Sequence, residues 1–251
     1  MNQLGHIQQC ALYAVIRVAN NNVQDKKIFY LIGGPNGSGK STLTQQIVKA
    51  DDVVVLDLDR IMETRNVSSI TAARQLLNED LPRVLSTGQS FVLESTLSGT
   101  SDARIIKMAH DLEYKVVLAF AFLASVEQNI ERVAQRVRLG GHDVDVDVIR
   151  RRYEKSLHNF HKIVPLVDKW LLFYNGESGK SHQIASGSNL DVQIDNSEYY
   201  TLFQSNCLEA VAKRLGHLAK IGASEARLAA ERAGIVVPSV ALSQMIKTKQ
   251  K

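Results

Sequence analysis

Short, nearly continuous apolar runs recur along the chain and alternate with longer segments in which apolar residues return every three or four positions. The runs Lys27–Ile32, Val53–Asp57, Ser90–Glu94, Lys115–Leu123 and Trp170–Tyr174 predict strands. Thr42–Lys49, Ile70–Leu85 and Ser101–Leu112 predict the intervening helices. Strands that are apolar on both faces and alternate with helices predict a parallel sheet covered on both sides, a three-layer α/β arrangement. Two further helical stretches, Ser125–Val137 and Asp147–His161, flank Arg138-Leu139-Gly140-Gly141-His142, where the glycine pair permits a turn or a moving flap. Asn175–Ser188 reads as loop, with Ile184 and Val192–Ile194 as short extra strands. From Tyr200 the pattern is helical to about Ala233, until Gly234 and Pro238 interrupt it, and Cys10–Val18 reads as a short amphipathic helix. The expected division is an N-terminal helical segment (1–23), a core (24–206) with a lid near 138–148, and a helical C-terminal extension with a basic tail (207–251).

Composition changes this picture little. At 251 residues, 45% hydrophobic and 22% charged, the chain reads as an ordinary soluble globular protein. Its longest apolar run, Val116–Ala124, is too short to span a bilayer, and no basic residue precedes Arg17 to start a secretory signal. Two cysteines, Cys10 and Cys207, make no disulfide framework, and the expectation is a cytoplasmic protein with no membrane association. The net charge of +4 is unevenly placed, for residues 207–251 hold eight Lys or Arg against three Glu. A basic tail reads first as a solvated end, so a nucleic-acid partner is not expected.

The decisive chemistry is Gly34-Pro35-Asn36-Gly37-Ser38-Gly39-Lys40-Ser41, a full match to GxxxxGK[ST], with Thr42 following. It comes directly after an apolar strand and opens a helix, the context in which glycine-rich backbone converges its N–H groups on a polyphosphate. Lys40 is expected on the β- and γ-phosphates and the Ser41 hydroxyl on Mg²⁺, with ATP as the nucleotide.

Leu97-Ser98-Gly99-Thr100 resembles the start of an ABC-type signature, but the strand Val116–Leu123 ends in Leu123-Ala124-Ser125 with no acid to hold a metal. The acids stand elsewhere. Asp57 and Asp59 end the second strand and Glu94 the third, so in a parallel sheet they face the crevice that holds the P-loop. A carboxylate there can accept the proton of an attacking hydroxyl or hold the metal. Arg132, Arg136, Arg138, Arg150, Arg151 and Arg152 flank the glycine pair, and one or two of them closing over the phosphates would supply charge where phosphoryl transfer needs it. His158 and His161, three apart, read as packing or surface residues rather than a metal pair, and Trp170 as core.

The P-loop, the strand end at Asp59, Glu94-Ser95-Thr96-Leu97-Ser98-Gly99, Arg132–Tyr153 and Val167-Asp168-Lys169-Trp170 leading into Leu171–Asn175 together resemble the zeta toxin family of P-loop kinases. The likeness covers roughly Lys27–Asn175. It implies a kinase core using ATP and Mg²⁺, with phosphorylation of a sugar hydroxyl of UDP-N-acetylglucosamine and restraint by a small antitoxin. By position it implies Asp59 as base, Lys40 as phosphate lysine, Glu94 and Thr96 as substrate contacts, and Arg138 with Arg151 or Arg152 as lid arginines. The family often has Asn where this chain has Asp57, an expected substrate contact. The reading is a three-layer P-loop kinase with an arginine-bearing lid, transferring phosphate to a small-molecule hydroxyl. A polynucleotide 5′-hydroxyl kinase and a regulatory nucleotide-binding module are the alternatives.

Overall fold

A computed structural model of the chain describes residues 27–50, 53–176, 181–188 and 191–214. The expected helix Cys10–Val18, and the C-terminal extension beyond residue 214 with its basic tail, lie outside the described residues. Strand β1 (Ile28–Gly33) leads through the glycine-rich loop into α1 (Lys40–Ala50), then β2 (Val54–Leu56) and the short helix α2 (Leu58–Thr64). Next come α3 (Ile70–Thr87), β3 (Phe91–Ser95), α4 (Ser101–Asp111) and β4 (Lys115–Phe122). Helices α5 (Val126–Arg138) and α6 (Val146–Ile163) precede the 3₁₀ turn Val164–Leu166, strands β5 (Lys169–Tyr174), β6 (His182–Gly187) and β7 (Val192–Ile194), and α7 (Ser197–Arg214).

The seven strands form one sheet in the order β2-β3-β1-β4-β5-β6-β7. The first five are the expected strands, all parallel to one another. The sheet is nevertheless mixed, because β6 and β7 extend its edge in antiparallel pairing. Residues 175–181 are too few for a crossover back to the start of a parallel neighbour, so the chain can only turn and run antiparallel. Most of what read as loop after Asn175 is therefore strand wherever it is described.

The central strands β1, β4 and β5 are apolar on both faces because both faces are covered. Phe29, Leu31, Leu93, Leu118, Phe120 and Phe122 face a layer that includes Leu77, Leu81 and Leu85 of α3, Ile105 of α4, Leu157 and Phe160 of α6, and Phe203 of α7. Tyr30, Ile32, Val92, Ala119 and Phe173 face Leu43 and Ile47 of α1. Helix ends follow local chemistry. Gly88, at φ 72°, terminates α3, and the Ser125 hydroxyl accepts from the Gln128 N–H at the start of α5. The Asp145 carboxylate accepts from the N–H groups of Asp147 and Val148 to start α6. The segment between α5 and α6, where the lid is expected, is an exposed loop, with Leu139 82% accessible.

Candidate active site

β3 inserts between β2 and β1, which sets Ile32 opposite Glu94 and Gly33 opposite Ser95. The carboxyl ends of β1 and β3 thus open side by side into one crevice, the place where parallel sheets bind ligands. A cavity of about 840 Å³ lies there, lined by the P-loop, Asp57, Glu94, Thr96 and residues of α3, α4, α5 and α6.

The P-loop bends back on itself between β1 and α1, with the Ser38 N–H donating to the Pro35 carbonyl (3.3 Å). Gly37 and Gly39 sit at φ 76° and 91°. A β-carbon on either would stand 2.6 Å from another residue, the Asn129 carbonyl for Gly37 and the Asn175 side-chain nitrogen for Gly39. Those two neighbours also grip the loop. Asn129 Nδ2 donates to the Asn36 carbonyl (2.6 Å) and Asn175 Nδ2 to the Ser38 carbonyl (2.7 Å). Arg132 in turn donates to the Asn175 carbonyl. Asn129 and Asn175 are buried, which makes them parts of the cradle rather than surface amides. Sequence reasoning gave neither this role. Only the position of Asn175 at the carboxyl end of β5, on the crevice side of the sheet, was a signal that could have found it.

Lys40 Nζ donates to the Pro35 carbonyl (2.9 Å), so its charge lies over the loop it belongs to. The Ser41 hydroxyl donates to Glu94 Oε2 (3.2 Å) and the Thr44 hydroxyl to Oε1 (2.7 Å). Burial pushes the Glu94 carboxyl above its ordinary value, against the Thr44 bond, the Lys40 charge and the Ser41 bond; the Asp57 charge adds to the upward push. Glu94 was expected on the substrate, yet it is bonded to the hydroxyl expected to ligate the metal. Asp57 lines the cavity and also starts α2, its carboxylate accepting from the Arg60 N–H (3.3 Å) and its carbonyl from the Ile61 N–H (2.9 Å). The backbone of Asp59 lies in the first turn of α2; its side chain lies outside the described residues. Thr96 lines the cavity with its hydroxyl 2.8 Å from that of Ser98, in a loop held by Asn159 Nδ2 donating to the Leu97 carbonyl (2.7 Å).

The arginines separate by helical phase. Arg132 and Arg136, four apart on α5, both face the cavity, and the Arg136 guanidinium donates to the His142 carbonyl (2.7 Å). Arg138, expected as a lid arginine, is instead exposed at the end of α5 and does not line the cavity. Two residues beyond Arg136 is more than half a turn of helix, which points it away. On α6, Arg151 and Arg152 line the cavity, and Arg152 Nη1 donates to Asn36 Oδ1 (3.3 Å). Arg150 turns aside to Glu127 (2.8 Å) and ties α6 to α5. Sequence reasoning missed Arg74, Arg104, Lys155 and Asp102, all on the cavity wall. Asp102 is 4% exposed, and burial raises its carboxyl against a bond from Ser95. In sequence it looks only like an acid in the first turn of a helix.

Other singled-out residues lie away from this wall. Trp170 is core at 4% exposure, and Cys207 is buried with its thiol toward the Leu157 carbonyl (3.7 Å). His161 packs edge-on to Phe160 and near Phe203. No cluster of three or more metal-ligating side chains, and no helix long and apolar enough to cross a membrane, occurs among the described residues.

The family model described as an AAA domain matches residues 30–162. An uncharacterized protein of Haemophilus influenzae is 35% identical over 136 residues, which are 52% of this chain and 94% of that protein. Among solved structures, AvrRxo1-ORF1:-ORF2 with ATP aligns at 16% identity over 77% of this chain and 68% of the other, with a TM-score of 0.57. The native AvrRxo1-ORF1:-ORF2 complex aligns at 18% identity over 96% and 85%, with a TM-score of 0.58. At such identities the two structures speak for the fold alone. With a P-loop match that spans just over half its length, the chain belongs to the AAA domain family and carries a P-loop, kinase-like domain.

Proposed function

We propose that the protein transfers the γ-phosphoryl group of ATP to a hydroxyl of a small molecule, a nucleotide sugar such as UDP-N-acetylglucosamine or another nucleotide. The observation that carries this reading is the bond from Ser41 to Glu94 at the open end of the P-loop, facing the cationic wall of α5 and α6. The P-loop N–H groups would hold the triphosphate and Lys40 its β- and γ-oxygens. Magnesium fits the site, since the Ser41 hydroxyl and the Glu94 carboxylate are hard oxygen donors already held together. When bound it would neutralise charge building on the phosphate oxygens. These contacts favour the metal side, rather than the acceptor, for Glu94. Arg152, already on the P-loop residue Asn36, would close over the transferring group. Asp59, next to the end of β2, is the proposed base, with Asp57 and Thr96 facing the acceptor. A separate inhibitory protein, as for the zeta toxins, is a further part of this reading; the AvrRxo1-ORF1 structures contain a second protein, ORF2.

Purified protein incubated with labelled ATP and UDP-N-acetylglucosamine, or with a metabolite extract, should yield a labelled small molecule. Lys40→Ala should lose that transfer by several orders of magnitude while remaining folded. Transfer within tenfold of the wild type would overturn the kinase reading.

A further inference from the structure

The cavity carries more positive charge than a nucleotide site requires. Among the described residues its lining holds eight Lys or Arg against three Asp or Glu. Magnesium ATP, a dication set against a triphosphate, leaves much of such a surplus unbalanced. Part of the surplus is already engaged, Arg132 on the Asn175 carbonyl of the cradle and Arg136 on the His142 carbonyl in the loop between α5 and α6. Arg74 and Arg151 are different. Among the described residues neither makes a hydrogen bond or ion pair. Both line the same cavity as Arg152, whose basicity is lowered by burial first and then by the charges of Arg74 and Arg151. Three like charges facing one cavity repel one another unless an anion sits among them.

Arg74 enters from α3, a helix with no part in the P-loop cradle, and Leu77 and Asn78 one turn along line the same cavity. An apolar, an amide and a guanidinium group on one helix face suit an organic ligand with a charged end. A guanidinium pairs with phosphate through two parallel N–H bonds, a geometry that an ammonium cannot offer. We infer that Arg74, with Arg151, forms a second anion subsite that binds a phosphate group carried by the phosphoryl acceptor. The inference rests on the kinase reading above and deepens it: Arg74 holds the phosphate that such an acceptor carries and selects it over its neutral counterpart.

The test uses the full chain saturated with the non-hydrolysable analogue AMPPNP and magnesium, titrated with inorganic phosphate and followed by ³¹P resonance. The phosphate line, distinct from those of AMPPNP, should broaden saturably on the wild type, and less so as salt is raised. Arg74→Gln, at an exposed helix position that tolerates substitution, should weaken phosphate binding roughly 10- to 100-fold and leave AMPPNP affinity within about twofold. In transfer assays the wild type should prefer N-acetylglucosamine 1-phosphate over N-acetylglucosamine, and Arg74→Gln should erase that preference through KM. Failure of phosphate to bind the AMPPNP-loaded wild type, or equal binding by Arg74→Gln, overturns the inference alone. Failure of AMPPNP itself to bind takes down the kinase reading as well.

Discussion

Asn175 holds the P-loop from outside it, and its removal should be felt in both stability and nucleotide affinity. Its Nδ2 donates to the Ser38 carbonyl at 2.7 Å from a position 4% exposed, and the missing β-carbon of Gly39 makes room for it. Asn175→Ala leaves that buried carbonyl without its partner, a loss of about 1–3 kcal/mol. The small void left behind adds to the cost. For a chain of this size each kcal/mol lowers Tm by roughly 2–4 °C, so a fall of about 5–10 °C is expected. The same bond keeps the loop in its binding shape. A nucleotide that must reorder a freed loop loses the equivalent free energy, so affinity should drop about 5- to 100-fold. Asn175→Asp keeps the shape but removes the donor and should be at least as damaging. Fluorescent ADP titration and thermal unfolding measure the two effects separately. Unchanged affinity with a lowered Tm would show that Asn175 supports the fold without shaping the loop, and no change in either would refute the clamp altogether.

Asp59→Asn should keep ATP binding within a few fold while single-turnover transfer falls by roughly two to four orders of magnitude. Asp57→Asn should be milder, since that side chain also starts α2, and the reverse ranking would put the base at Asp57. Arg152→Ala should lower turnover more than ATP affinity because its contacts complete in the transition state, whereas Arg138→Ala should leave steady-state kinetics within about twofold, as its side chain is exposed away from the cavity. Equal damage from both would mean that the lid closes further than the loop between α5 and α6 implies. His161 is lowered from 6.5 to about 4, by burial first and by His158 second, so folding favours its neutral ring. Its contribution is complete above pH 6.5 and lost as pH falls toward 4, a decline of about 2–3 kcal/mol in urea-unfolding stability that His161→Leu should flatten.

The sequence by itself determined the elements that depend on near neighbours. Five apolar runs became five parallel strands because a strand covered on both faces must be apolar throughout, and that pattern is written locally. The P-loop was equally legible, since its glycines answer to backbone geometry within a few residues. Tertiary structure decided what depends on which distant segments meet. Glu94 reaches Ser41 and Thr44 only because β3 lies beside β1, an order that periodicity along one strand cannot encode. Arg138 and Arg136 look alike in sequence, and helical phase against the crevice separates them. Asn129 and Arg74 carry no local mark, and Asn175 only its place at the end of an apolar strand. Their roles come from burial and convergence on one loop and one cavity, which exist only once the sheet has brought α3, α5 and the end of β5 together.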